Sequence, residues 1–147
     1  MSQLISAVLE QEQDYRFAIG FADGVPGIHG DEPPPLGKAT GPSPMQLLAG
    51  AVGNCLSNSL LFALRKFKQS PEPIRTTVDV TVDRNAENRL RVMHIDVKLN
   101  LGVPGERVEH LDRVLGQFEE FCTVTQSVRQ GIPVTVEVYD SAGKRLK

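Results

Sequence analysis

Tryptophan is absent from the 147 residues, aromatic side chains make up only 5% of them, and cysteine occurs just twice. Two cysteines and three histidines are too few, and too widely spaced, for a zinc ribbon or a disulfide scaffold, whose ligands or bridges come in close sets. Charge of one sign is also missing. Sixteen basic against eighteen acidic residues leave a formal net charge of -2, and no Lys/Arg tract is dense enough to neutralise a run of phosphates. Nucleic acid is therefore not an expected partner. The first ten residues lack a basic flank followed by an apolar stretch, so no secretory signal is visible and a cytoplasmic protein is expected. With 40% hydrophobic and 23% charged residues, the chain reads as one soluble domain, 1–147.

One long stretch stands out by what it omits. From Ala39 to Leu64 there is no charged residue, while Lys38 precedes it and Arg65, Lys66 and Lys68 follow. Such a pattern suggests a membrane span, but Gln46, Asn54, Ser57, Asn58 and Ser59 interrupt it. Carboxamides in hydrocarbon would each need a partner, so a helix buried in protein is the expectation, with no membrane. Gly41-Pro42-Ser43-Pro44 supplies a Ser cap with Pro in the first turn, where the missing N–H does no harm. Basic residues and then Pro71 and Pro73 close the helix near Gln69. Its length is on the order of 39 Å at ~1.5 Å per residue. A helix this long and apolar cannot hide every face against one sheet in a chain of this size, which predicts a homodimer. The alternative is a monomer whose helix breaks at Gly50 or Gly53, each glycine costing up to ~1 kcal/mol relative to Ala.

Period-2 alternation marks three strands, around Val78 to Val82, Met93 to Leu101 and Val134 to Val138. The polar turn Asn85 to Asn88 joins the first two as an antiparallel hairpin. Leu4 to Glu10 and Tyr15 to Phe21 form a weaker hairpin, and the Gly- and Pro-rich stretch from Asp23 to Lys38 reads as a long loop. Val108, Leu111, Leu115, Phe118 and Cys122 make one stripe of an amphipathic helix starting near Gly105, with a short continuation from Thr123. The order β-β-α-β-β-α-α-β is α+β with antiparallel pairing.

Both cysteines fall on apolar helix faces. Packing is one reading, since free cysteine is among the most buried residue types. If Cys55 and Cys122 line one seam, the other reading is a redox pair, because a cytoplasmic disulfide is usually catalytic or redox-sensing. Metal binding would need three or four convergent ligands, and His29, His94 and His110 sit in a loop, on a polar strand face and on an exposed helix face.

The segment Gly41-Pro-Ser-Pro-Met-Gln-Leu-Leu-Ala-Gly-Ala-Val-Gly-Asn-Cys55, with its Gly, Pro, Leu, Ala and Cys in that order, resembles the first-cysteine signature of OsmC/Ohr-type proteins. Phe121-Cys122-Thr-Val-Thr-Gln-Ser-Val, with Gly131-Ile-Pro-Val after it, resembles that family's second-cysteine segment. The resemblance runs from about Tyr15 to Tyr139 and is weakest before Lys38. It implies an intertwined homodimer, its sheets wrapped around long central helices. It also implies that Cys55 attacks an organic hydroperoxide and becomes a sulfenic acid, which Cys122 resolves as a disulfide. An external dithiol would then restore the enzyme, with no metal or organic cofactor.

One position departs from the pattern. Peroxidatic members carry a Glu ten residues before the reactive cysteine, where it holds an activating Arg; here that residue is Met45. Thiolate formation still calls for a positive group or an oriented donor. Arg16 and Lys38 are candidate cations, and Glu119 and Glu120 could orient one. Met45 suggests a more apolar site mouth. The second functional reading is accordingly a weakly active or non-catalytic dimer that binds a hydrophobic small molecule or senses oxidants.

Overall fold

Helix α1, Pro44–Lys66, is fixed at both ends by its own sequence. In the computed structural model, which describes residues 1–147, the Gln46 amide donates to Ser43 Oγ at 3.3 Å while Gln46 Oε1 accepts from the Ser43 amide at 2.9 Å. This is a reciprocal capping box, with Pro44 in the first turn as expected. At the other end Gln69 N–H reaches Leu64 O at 3.0 Å and Lys68 N–H reaches Arg65 O at 2.8 Å. Lys68 takes the left-handed φ of 58° that such a Schellman ending requires. The helix runs unbroken through Gly50 and Gly53, which removes the break considered from the sequence. It is long and apolar enough to cross a membrane, and one third of its most apolar stretch is buried within the chain.

The chain divides into two compact units, Met1–Leu48 and Ala49–Lys147. In the first, β1 (Ala7–Gln13), β2 (Arg16–Phe21) and β3 (Ile28–Gly30) form an antiparallel sheet in that order. The third strand lies inside the segment read as loop; three residues are too few for alternation to show. The rest of that segment is built around Asp31, which is 5% exposed. Its carboxylate accepts from the amides of Glu32, Lys38 and Thr40 at 2.8, 3.2 and 3.1 Å and from Thr40 Oγ1 at 2.8 Å. All of β1 is exposed.

In the second unit β4 (Arg75–Arg84) and β5 (Leu90–Asn100) form the expected antiparallel hairpin. Asn85 Oδ1 organises its turn by accepting from the Glu87 and Arg89 amides at 3.1 and 2.9 Å, an Asx-type bond for which Asn is suited. The final strand β6 (Val134–Tyr139) instead lies parallel to β5. Antiparallel pairing therefore holds for every pair but this one. The segment from Leu101 to Pro133, which carries the two short helices, is long enough to return the chain for a parallel pairing.

The core of this unit is aliphatic. Val52, Leu56, Leu60 and Leu64 form one buried stripe of α1, and Ile95, Leu99 and Val138 from the sheet are equally buried. Each fully buried side chain contributes roughly 1.5–3 kcal/mol. Gly53 lets α1 approach β4, since a Cβ there would sit 2.6 Å from Val78 Cγ2. Ser57 Oγ and Thr76 Oγ1 meet at 2.5 Å beside that contact.

The amphipathic helix expected from Gly105 is not continuous. A 3-10 turn at Gly105–Arg107 leads to α2 (Leu111–Gln117), a second 3-10 turn at Phe118–Phe121, and α3 (Thr123–Val128). His110 breaks the first stretch with a left-handed φ of 58°, and Cys122 breaks the second in an extended conformation. Val108, Leu115, Phe118 and Cys122 are buried nevertheless, because 3-10 turns keep nearly the same spacing of one face.

Candidate active site

Position 55 falls on the flank of the buried stripe of α1, one residue before Leu56, so its side chain is only half-buried. The same helix flank carries Ala51, Asn54, Asn58 and Phe62, one turn apart. With Ser59, and with Phe121 and Val124 from the second-cysteine segment, they line an open groove of about 570 Å³ in the second unit. Asn58 Nδ2 donates to Asn54 Oδ1 at 3.0 Å, pairing carboxamides that the sequence leaves without a visible partner. Phe62 and Phe121 are 68% and 69% exposed, so the groove has two large apolar walls that nothing in the chain covers. None of its lining residues is charged, and none is a histidine.

Cys122 lies at the junction before α3, fully buried, and both thiols are free. Its Sγ donates to Thr125 Oγ1 at 3.0 Å, and Thr125 is itself fully buried. Burial pushes the Cys122 thiol above its ordinary range, and the neighbouring Cys55 thiol pushes the same way. The hydroxyl and backbone amide of Thr125 oppose them. The two cysteines, 67 positions apart in the numbering of the chain, are thus brought together, one open to the groove and the other enclosed behind it. Thr125 was not among the residues singled out by sequence. Its only signal there is a hydroxyl three residues after a cysteine, a spacing shared by many structural threonines.

The charged candidates have local partners. Arg16 Nε pairs with Glu12 at 3.1 Å, and Glu12 also accepts from His29 at 2.5 Å. Arg16 and Lys38 line one cavity of about 430 Å³ in the first unit, with Asp31 and Thr40. Met45 is exposed in the first turn of α1. In the second unit Glu119 binds two cations, Arg129 at 2.5 Å and Lys147. Burial raises the Glu119 carboxyl, but hydrogen bonds from Lys147 and Arg129 outweigh it and leave the group below its usual range. Lys147 Nζ also lies 5.2 Å above the Phe118 ring. Glu120 is exposed. His94 meets Thr135 at 2.7 Å, and His110 stacks on Phe67 at 4.8 Å.

Comparison with known proteins gives a consistent result. Residues 37–137 match the family model of OsmC-like proteins. No curated protein matches the sequence. Among solved structures, an organic hydroperoxide resistance protein from Elizabethkingia anophelis is 15% identical, with a TM-score of 0.74 over 95% of this chain and 98% of that one. An organic hydroperoxide resistance protein of Bacillus subtilis is 17% identical, with a TM-score of 0.67 over 92% and 98%. An OsmC-like protein from Mycoplasma pneumoniae is 12% identical, with a TM-score of 0.77 over 95% and 99%. At these identities the likeness is one of fold.

Proposed function

This chain belongs to the OsmC-like family, and from that membership we propose that it is a cysteine-based peroxidase that reduces organic hydroperoxides in a peroxide-resistance role. The Cys55 thiolate attacks the terminal peroxide oxygen; the O–O bond breaks, an alcohol leaves with a proton, and Cys55 becomes a sulfenic acid. Cys122 then attacks the Cys55 sulfur, the S–O bond breaks, and water departs as the disulfide forms. An external dithiol reduces that disulfide by exchange, and no cofactor takes part.

The observation that carries this reading is the adjacency of an accessible Cys55, in a groove walled by Phe62 and Phe121, to an enclosed Cys122. The groove favours a bulky apolar hydroperoxide over hydrogen peroxide. The working form is a homodimer in the cytoplasm. Supporting the dimer are the exposed Phe62 and the share of α1 that its own chain leaves uncovered.

Intact mass after one equivalent of cumene hydroperoxide tests the chemistry. Loss of two hydrogens, with Cys55 and Cys122 joined in the peptide map, is the expected result. Cys55→Ser should abolish peroxide consumption altogether. A gain of oxygen with Cys122 still free to alkylate would remove the resolving role.

The absence of any charged side chain from the groove lining favours a second reading, an apolar ligand-binding dimer with little turnover. That reading expects Cys55→Ser to bind an apolar ligand as wild type does, and wild type to show no multiple turnover with a dithiol.

A further inference from the structure

Resting on the peroxidase reading, we propose that Thr125 is a positioning residue for the resolving step, its hydroxyl holding Cys122 first as a thiol and then as the attacking thiolate. Cys122 Sγ donates to Thr125 Oγ1 at 3.0 Å. Both residues are fully buried, so no water competes for the sulfur.

A hydroxyl suits this task because it both accepts and donates. While Cys122 is protonated, Oγ1 accepts the S–H hydrogen bond and fixes the thiol rotamer. When the proton leaves, rotation about Cβ–Oγ lets the same hydroxyl donate to the sulfur anion. The Thr125 backbone amide favours the anion as well.

The step balances without a further reactant. Cys122 sulfur is oxidised as it bonds to Cys55 sulfur, and Cys55 is reduced from the sulfenic state as its S–O bond breaks. The hydroxide released takes up the proton that Cys122 has lost, giving water. Thr125 ends the step with the proton it began with.

The position separates two explanations of a buried threonine. Valine keeps its shape and removes the hydroxyl; serine keeps the hydroxyl and removes a methyl. A packing role expects Thr125→Val to behave as wild type and Thr125→Ser to suffer. The positioning role expects the reverse.

The test follows disulfide formation after one equivalent of cumene hydroperoxide, with dimedone present to trap any sulfenic acid on Cys55. Thr125→Val should consume that equivalent at the wild-type rate. It should then form the disulfide about tenfold to a hundredfold more slowly, the loss expected for a hydrogen bond to a charged group, and accumulate the dimedone adduct. Thr125→Ser should resolve at close to the wild-type rate. Cys122→Ser supplies the limit, with complete trapping.

Wild-type resolution in Thr125→Val would overturn the proposal while leaving the peroxidase reading intact. Failure of the wild type itself to form the Cys55–Cys122 disulfide would overturn both. If the valine variant does not fold, Thr125→Ser against Thr125→Ala makes the same comparison, since both lack the methyl and only alanine lacks the hydroxyl. Equal resolution rates in that pair would refute the positioning role.

Discussion

Asp31 shows how much one side chain can organise. Four donors converge on its carboxylate from a loop that has almost no regular structure of its own. The Thr40 amide and hydroxyl lead these donors in holding the carboxyl at about 2, below its ordinary 3.8, against the opposing effect of burial. A depressed carboxylate stabilises the fold above its unfolded value and loses that contribution as the pH falls through the folded one. Hydrogen exchange at the Lys38 and Thr40 amides should therefore quicken, relative to intrinsic rates, between about pH 4 and pH 2. Asp31→Ala should quicken the same amides at neutral pH by about tenfold, the effect of losing one net hydrogen bond. Unchanged protection would show that the loop is held by something else. Glu119 is the counterpart in the second unit. Lys147→Ala leaves its half-buried carboxylate with Arg129 alone and removes the cation above Phe118. A loss of roughly 1–2 kcal/mol in urea unfolding is expected, after discount for partial exposure. Single side chains were partly legible in the sequence. Cys55 stood out because its surroundings lack charge, and Cys122 because it continued an apolar stripe. The Glu119 to Lys147 pair, 28 residues apart, had no local pattern to announce it, and a hydroxyl three residues after Cys122 is too common a spacing to mark Thr125.

Two glycines of α1 separate the demands of helix and packing. Gly50 has open space where a Cβ would stand, whereas at Gly53 that atom would meet Val78 Cγ2 at 2.6 Å. Gly50→Ala should raise stability by about 0.5–1 kcal/mol through helix propensity alone. Gly53→Ala gains the same propensity but overpacks the β4 contact, and should lower stability by about 1–2 kcal/mol net. Thermal melts of the two proteins should move in opposite directions, and a common direction would contradict the packing described. Elements whose signals are local were readable in advance. The cap at Ser43, the strands of alternating valines and the turn at Asn85 each follow from residues within a few positions. Strand β3 was too short to show a period. The interruption of the predicted second helix at His110 and Cys122 was hidden because 3-10 turns preserve the apolar spacing that the helix reading relied on.

At the scale of the molecule, sequence patterning told strands from helices but not which strand the last one would join. A final strand of alternating valines fits either direction, and β6 lies parallel to β5. The dimer proposal rests on surface left uncovered, and sedimentation equilibrium should return about twice the 16.1 kDa chain mass. A mass of one chain would leave Phe62 and Phe121 exposed to solvent for the sake of the substrate alone. The parallel pairing also has a temporal side. Antiparallel neighbours can zip from a turn, but β6 docks only after the intervening stretch that carries Cys122 has been gathered in, a loop closure that is entropically costly and slow. During synthesis on the ribosome, Cys55 therefore emerges well before its companion sulfur is seated. In pulse-labelling during refolding, amides of β6 should gain protection after those of the β4–β5 hairpin; under the proposed chemistry, Cys55 would spend that interval without its resolving partner.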